Sequence, residues 1–276
     1  MTTIEGRVTS ADGTTIAYDV TGDGPPLVLV EAAGHHRGFS SFDGLAPLLA
    51  ADFTVVRYDR RGRGGSGDTP PYALDREVDD LAALIDALGG RSFLYGFSSG
   101  ALLALHAAAR GLDVPRMVVL EPPVADDDVG GASDFTRRLA ALVADGRHED
   151  AVTAFHEGIG VPAEVLSGLR GSPAWDAMVA IAPTLVHDAV IGDASPPGAL
   201  AGVDVPVLVL DSEGSTDDLT GMAATVARHL PQGTHRSLAG EWHGVPDADL
   251  AAALVEFLDP PPAGSRQTPT GPPRSR

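Results

Sequence analysis

The sequence predicts an α/β protein built on a mostly parallel sheet, and three observations carry that reading. Short apolar runs at 27–30, 53–58, 117–120 and 205–210 alternate with helical stretches. Runs such as Leu27-Val28-Leu29-Val30 are solidly apolar, as befits strands covered on both faces. Between 124 and 200 the alternation stops and only helical patterns remain. The expectation is therefore one core domain, residues 1–123 and 201–258, with a helical cap inserted at 124–200. A chain of 276 residues can bury a substantial core within such a domain.

Each element has its own signal. Residues 4–20 alternate around Ala11-Asp12-Gly13, a hairpin with an Asp-Gly turn. The run 27–30 is followed by a loop, Glu31 to Gly38, and a helix over 41–50, then by a strand at 53–58. Leu81, Leu84, Ile85 and Leu88 form one stripe of a helix over 75–88. A strand at 91–95, a helix from Ser98 to Arg110 and the sixth strand (β6) at 117–120 follow. Pro122-Pro123 ends that strand. Helices are expected at 133–145, 148–159, 162–170 and 173–190. A strand at 205–210, a helix at 216–230, a strand near 234–238 and a helix at 247–258 complete the core. From Asp259 the chain turns rich in Pro, Gly and polar residues, and 259–276 reads as a disordered tail.

Composition removes several chemistries. A formal charge of -19 disfavours nucleic acid and anionic membrane surfaces, which need a basic face. A neutral, largely apolar small molecule is the expected partner, and a homodimer is left open. The chain has no cysteine and no lysine, which excludes thiolate nucleophiles, disulfides, Schiff bases and the lysine of a phosphate-binding loop. The nine histidines show no metal-ligand spacing, so no metal and no cofactor are expected. The first residues lack a charged region followed by an apolar one, and no run of eighteen apolar residues occurs. A cytoplasmic location is expected.

The stretch with most chemical content is Gly96-Phe97-Ser98-Ser99-Gly100, a G-x-S-x-G between a strand and an alanine-rich helix. A serine on a tight strand-to-helix turn projects its hydroxyl, and the flanking glycines give the turn room. The helix N-terminus beside it favours developing negative charge. Asp59 to Gly67, rich in Arg and Gly, lacks the pattern of a phosphate cradle and reads as a structural loop.

With Tyr58 to Gly67, Gly96 to Gly100 and Gly240-Glu241-Trp242-His243-Gly244 in this order, the chain resembles the α/β-hydrolase superfamily over residues 4–258. The resemblance implies an eight-stranded, mostly parallel sheet flanked by helices, with the cap inserted after β6. Two features depart from the family pattern. Glu31-Ala32 stands where His-Gly is usual, and Ser215 stands where the usual acid would be.

Ser98 is the expected nucleophile and His243 the base, since the late loop of such a fold lies over the serine. Glu121 is the first choice for the acid, because it ends a buried strand next to the Ser98 strand and so emerges at the same sheet edge. Glu213 and Asp217 are the alternatives. The resemblance adds that some members, including the Ser-Glu-His lactonases that open zearalenone, place the acid after β6. Backbone N–H groups of Ser99 and of Ala33 or Ala32 are expected to hold an oxyanion. Glu31, Ala32, His36, Trp175 and Met178 are the expected substrate contacts, with His35 beside them. Phe135, Phe155 and Ile181 are further apolar residues of the cap, and His106 reads as core or rim.

The function expected is a serine hydrolase of an apolar carboxylic ester or lactone acting through an acyl-enzyme. A C–C bond hydrolase, a non-hydrolytic cyclase and a ligand-binding protein without turnover are the alternatives on the same scaffold.

Overall fold

A computed structural model describes residues 2–124, 131–161 and 163–258 of the chain. The apolar runs become strands β1 (Ile4–Thr9), β2 (Thr15–Thr21), β3 (Pro26–Val30), β4 (Thr54–Tyr58), β5 (Phe93–Phe97), β6 (Met117–Leu120), β7 (Val207–Ser212) and β8 (Gly233–Leu238). They form one eight-stranded sheet in the order β1-β2-β4-β3-β5-β6-β7-β8. The β1–β2 hairpin and the β2–β4 pair are antiparallel, and every pairing from β4 to β8 is parallel. Parallel pairing makes β5, β6, β7 and β8 end at the same edge, where Ser98, Glu121 and the loops after Ser212 and Leu238 emerge.

Alternate residues of the strands feed two cores. Val28, Val30, Val56, Leu94, Val119 and Val209 pack under α2 (Leu74–Ala87), α3 (Ser99–Ala109) and α9 (Asp217–His229). Leu27, Leu29, Tyr95, Val118 and Leu208 pack under α1 (Leu45–Leu49) and α10 (Asp247–Leu258). Burial on both faces explains why these strands read as solid apolar runs.

Between β6 and β7 lie α4 (Asp134–Ala144), α5 (His148–Gly158), α6 (Ala163–Leu169), α7 (Pro173–Ala180) and α8 (Leu185–Asp193). Leu139, Val152, Phe155, Trp175, Met178 and Leu185 give these helices a core of their own, against which Ala33 and Phe39 of the loop after β3 also pack. No single helix among the described residues is long and apolar enough to cross a membrane. The expected tail, 259–276, lies outside the described residues.

Three expectations need correction. The helix over 173–190 is two helices joined by a 3-10 turn at Ala182–Thr184, because Pro183 has no N–H to continue the helical ladder. The helix over 41–50 shrinks to Leu45–Leu49. Ahead of it, Ser40 and Ser41 turn their hydroxyls onto Glu31, and the Phe42 N–H donates to Ser40 Oγ at 3.0 Å, so local side-chain bonds replace the first helical turn. The strand expected at 91–95 is Phe93–Phe97, since its pairing with β6 runs to Phe97 opposite Leu120.

The arginine-rich loop after β4 is structural. Arg60, Arg61 and Arg63 are at most 1% exposed, and each faces carboxylates. Arg60 makes a two-pronged contact with Glu77 at 2.8 Å for each pair of atoms, and Arg61 does the same with Asp80 at 2.8 and 2.7 Å. Asp188 of α8 accepts from Arg60 Nη1 and Arg63 Nη2 at 2.6 Å each, and from Ser99 Oγ at 2.8 Å. Burial alone would raise the Asp188 carboxyl, but Arg63, Arg60 and the Ser99 hydroxyl outweigh it and hold it at about 2.

Removing the Asp188 charge leaves two buried guanidinium groups short of a partner. Asp188→Asn is expected to cost about 3–5 kcal/mol of unfolding free energy, read as a lower urea midpoint at unchanged slope.

Candidate active site

Three candidate side chains emerge at one edge of the sheet: Glu121 and His243 are paired there, and Ser98 lines the same cavity as His243. Ser98 follows β5 at φ +53° and ψ −122°, and its N–H donates to Leu120 O at 2.9 Å. The turn is tight enough to need its glycines. A Cβ on Gly96 would lie 2.6 Å from Gly100 O, and one on Gly100 would lie 2.2 Å from Val30 O. Glu121, directly after β6, has φ +47°, and His243, in the loop after β8, has φ +53°. Among the described residues these are the non-glycine positions with positive φ. Such backbone costs about 1–3 kcal/mol each and gathers at functional sites.

Glu121 and His243 are in direct contact. Glu121 is fully buried, and its Oε2 lies 2.5 Å from His243 Nδ1. Its Oε1 accepts from Ser215 Oγ at 2.6 Å and from the Ser212 N–H at 2.9 Å. Burial would raise the Glu121 carboxyl, but the bonds from His243, Ser215 and Ser212 prevail and lower it. Ser215 thus supports the Glu121 carboxylate, and it also accepts the His243 N–H at 2.9 Å. Glu213 and Asp217 are exposed. With Nδ1 facing a carboxylate, Nε2 is the free basic nitrogen of the His243 ring. Phe97 and Trp242 hold that ring at centroid distances of 4.8 and 5.3 Å.

Ser98 and His243 both line a cavity of about 300 Å³ at this edge. Ala32, Ala33 and Ser99 line it as well. The Ala33 and Ser99 N–H groups have no backbone acceptor among the described residues, so two donors remain available beside the serine. Its other walls are mostly apolar, with Phe135, Phe155, Ile159 and Val161 from the helical segment and Leu219 and Trp242 from the core.

Four expected substrate contacts do not line this cavity. Glu31 is 3% exposed and points into its own loop, accepting from the Ser41 N–H at 3.1 Å, from Ser41 Oγ at 2.8 Å and from Ser40 Oγ. It braces the bend that presents Ala32 and Ala33. His36 folds back, its Nδ1 accepting the Gly38 N–H at 3.1 Å, and His35 lines the cavity in its place. Trp175 and Met178 are each 4% exposed within the helical core. Trp175 packs under the Arg170 guanidinium at 5.0 Å, and Met178 packs over Gly34. Trp242 is the tryptophan of the cavity, and its place beside His243 in the sequence was a signal for that. His156 and Asp193 also line it, with no motif to mark either. Ile181 is buried outside it. His106 bonds Ser195 Oγ at 2.8 Å, away from the cavity.

Residues 27–260 match the family model described as the alpha/beta hydrolase family. A crystal structure of an alpha/beta hydrolase from Sphaerobacter thermophilus is 46% identical, with a TM-score of 0.83, over 92% of this chain and 100% of that one. The hydrolase YraK of Bacillus subtilis is 29% identical over 126 residues, 44% of this chain and 46% of YraK. A pimeloyl-[acyl-carrier protein] methyl ester esterase of Nitrosomonas europaea is 30% identical over 105 residues, 38% of this chain and 40% of the esterase. The matched stretches thus span less than half the length of these two curated relatives.

Burial pushes the Glu31 carboxyl up to about 7 against its serine donors. A raised acid favours the neutral form in the fold, so its contribution is complete below the ordinary value of 4.5 and is lost as pH rises through about 7. Unfolding free energy is expected to fall by about 2.5 kcal/mol between pH 5 and 8 from this group. Glu31→Gln is expected to flatten that slope in denaturant titrations.

Proposed function

The chain belongs to the alpha/beta hydrolase family, and on that premise we propose that it is a serine hydrolase cleaving a neutral, largely apolar carboxylic ester or lactone. The observation that carries the reading is the coincidence of backbone and side chain. Among the described residues the three non-glycine positions held at positive φ are a serine, a histidine and a glutamate, and two of them are paired at 2.5 Å while the serine shares a cavity with the histidine.

In this reading Ser98 Oγ attacks the carbonyl carbon as His243 Nε2 takes its proton. Glu121 keeps the Nδ1 proton in place and offsets the charge of the imidazolium. The N–H groups of Ala33 and Ser99 receive the carbonyl oxygen as it turns negative, where fixed donors stabilise it without reorganising. His243 returns the proton to the leaving alcohol, and an acyl-enzyme remains. Water, activated by the same imidazole, then releases the acid. The apolar walls suit a neutral substrate, and the ester named for the Nitrosomonas europaea relative supports an acyl-oxygen bond as the target. The proposal includes a cytoplasmic location and a small-molecule partner rather than nucleic acid or membrane.

With a p-nitrophenyl ester, Ser98→Ala is expected to lower kcat by about 10⁴-fold or more. Glu121→Gln is expected to lower it by about 10²- to 10⁴-fold through loss of the correct tautomer, and Glu213→Gln by less than about threefold. Full activity in Ser98→Ala, or equal small effects of the two glutamate changes, refutes the assignment.

A further inference from the structure

Two histidines of the cavity have no part in the proposed chemistry. His35 lies on the loop after β3 and His156 on α5, and each is fixed by its Nδ1. His35 Nδ1 lies 2.9 Å from Ala33 O, and His156 Nδ1 lies 2.7 Å from Val152 O. A carbonyl oxygen only accepts, so Nδ1 carries the proton in both rings, and on the neutral ring Nε2 keeps its lone pair. Neither Nε2 has a hydrogen-bond partner among the described residues. Burial lowers the pKa of both imidazoles, which keeps them neutral near pH 7. A stacked contact with Phe39, at 5.0 Å and 9°, and an edge contact with Phe155, at 5.7 Å, hold the two rings in place.

The rest of the wall has the same sense. Asp188 is saturated by Arg60, Arg63 and Ser99. Asp193 uses one oxygen to accept the Ser133 N–H and the Thr136 hydroxyl, at 2.9 and 2.6 Å. Away from Ser98, Ser99 and the Trp242–His243 pair, the polar side chains of the cavity are therefore acceptors set among apolar ones. A wholly apolar ligand would cover the two imidazole lone pairs and leave them without a donor, which a well-matched site penalises.

We propose that His35 and His156 form a hydroxyl-recognition subsite, and that the preferred ester or lactone carries a free hydroxyl, apart from the scissile bond, which donates to an Nε2 of this pair. The proposal rests on the hydrolase reading for its substrate class and adds the group that sets specificity.

The test uses p-nitrophenyl esters of four- to eight-carbon acids ending in a hydroxyl or a methoxy group, and a second set with the same pair on the alcohol side. The wild type is expected to favour the hydroxyl member in kcat/KM by about tenfold or more in one of the sets. His156→Phe and His35→Phe, which keep a flat ring and remove the acceptor, are expected to bring the ratio within about twofold. Because the readout is a ratio between matched substrates, a general loss of activity cancels, and the wild-type comparison stands if a variant does not fold. Turnover with no hydroxyl preference in either set, or a preference that survives both substitutions, overturns the subsite and leaves the hydrolase reading intact. Calorimetric binding that favours the hydroxyl member, with no turnover by the wild type, overturns the hydrolase reading and leaves the subsite.

Discussion

A single buried carboxylate joins the helical segment to the sheet. Asp188, in α8, sits between Arg60 and Arg63 of the loop after β4 and accepts the hydroxyl of Ser99, the residue after the proposed nucleophile. Isolated charges at this depth would be prohibitive, and they persist because each is matched: Arg60 also grips Glu77, while Arg63 donates to Ala32 O at 2.7 Å. The network thus reaches both sides of the proposed oxyanion position, the Ala32–Ala33 loop and the start of α3. It ties the height of the helices above the sheet to the geometry of the serine.

The Glu121–His243 pair illustrates a second economy of the fold. Parallel strands that end together offer several places from which a carboxylate reaches one imidazole. Here the acid comes from the end of β6, and the position after β7 contributes Ser215, whose hydroxyl donates to Glu121 and accepts from the His243 backbone. A serine at this position gives a neutral bridge that supports the Glu121 carboxylate. A second carboxylate at 215 would lie against Glu121, and like charges so close would raise the pKa of one of them.

The cavity combines these constraints. The end that holds Ser98 and His243 is polar and strained, and the far walls are apolar apart from a few acceptors with fixed orientation. An apolar body with one well-placed donor fits that distribution better than a charged or uniformly apolar ligand.

Much of this was legible without coordinates. Strands buried on both faces announce themselves as apolar runs, and G-x-S-x-G between a strand and a helix marks Ser98 because its geometry demands those glycines. Glu121 was the first choice for the acid on strand adjacency and on the resemblance, with Glu213 and Asp217 as alternatives, and the structure brings its carboxylate to His243. The side chains that face the cavity could not be read this way. Trp175 and Met178 lie at helical spacing that suits a core as well as a pocket, and Glu31 and His36 lie beside residues that do line it. Local periodicity determines which residues leave the solvent, and therefore the class of fold and the ends of its strands. Which buried side chain meets another element, and which meets empty space, depends on how helices distant in sequence pack against the sheet, and only the tertiary structure decided that.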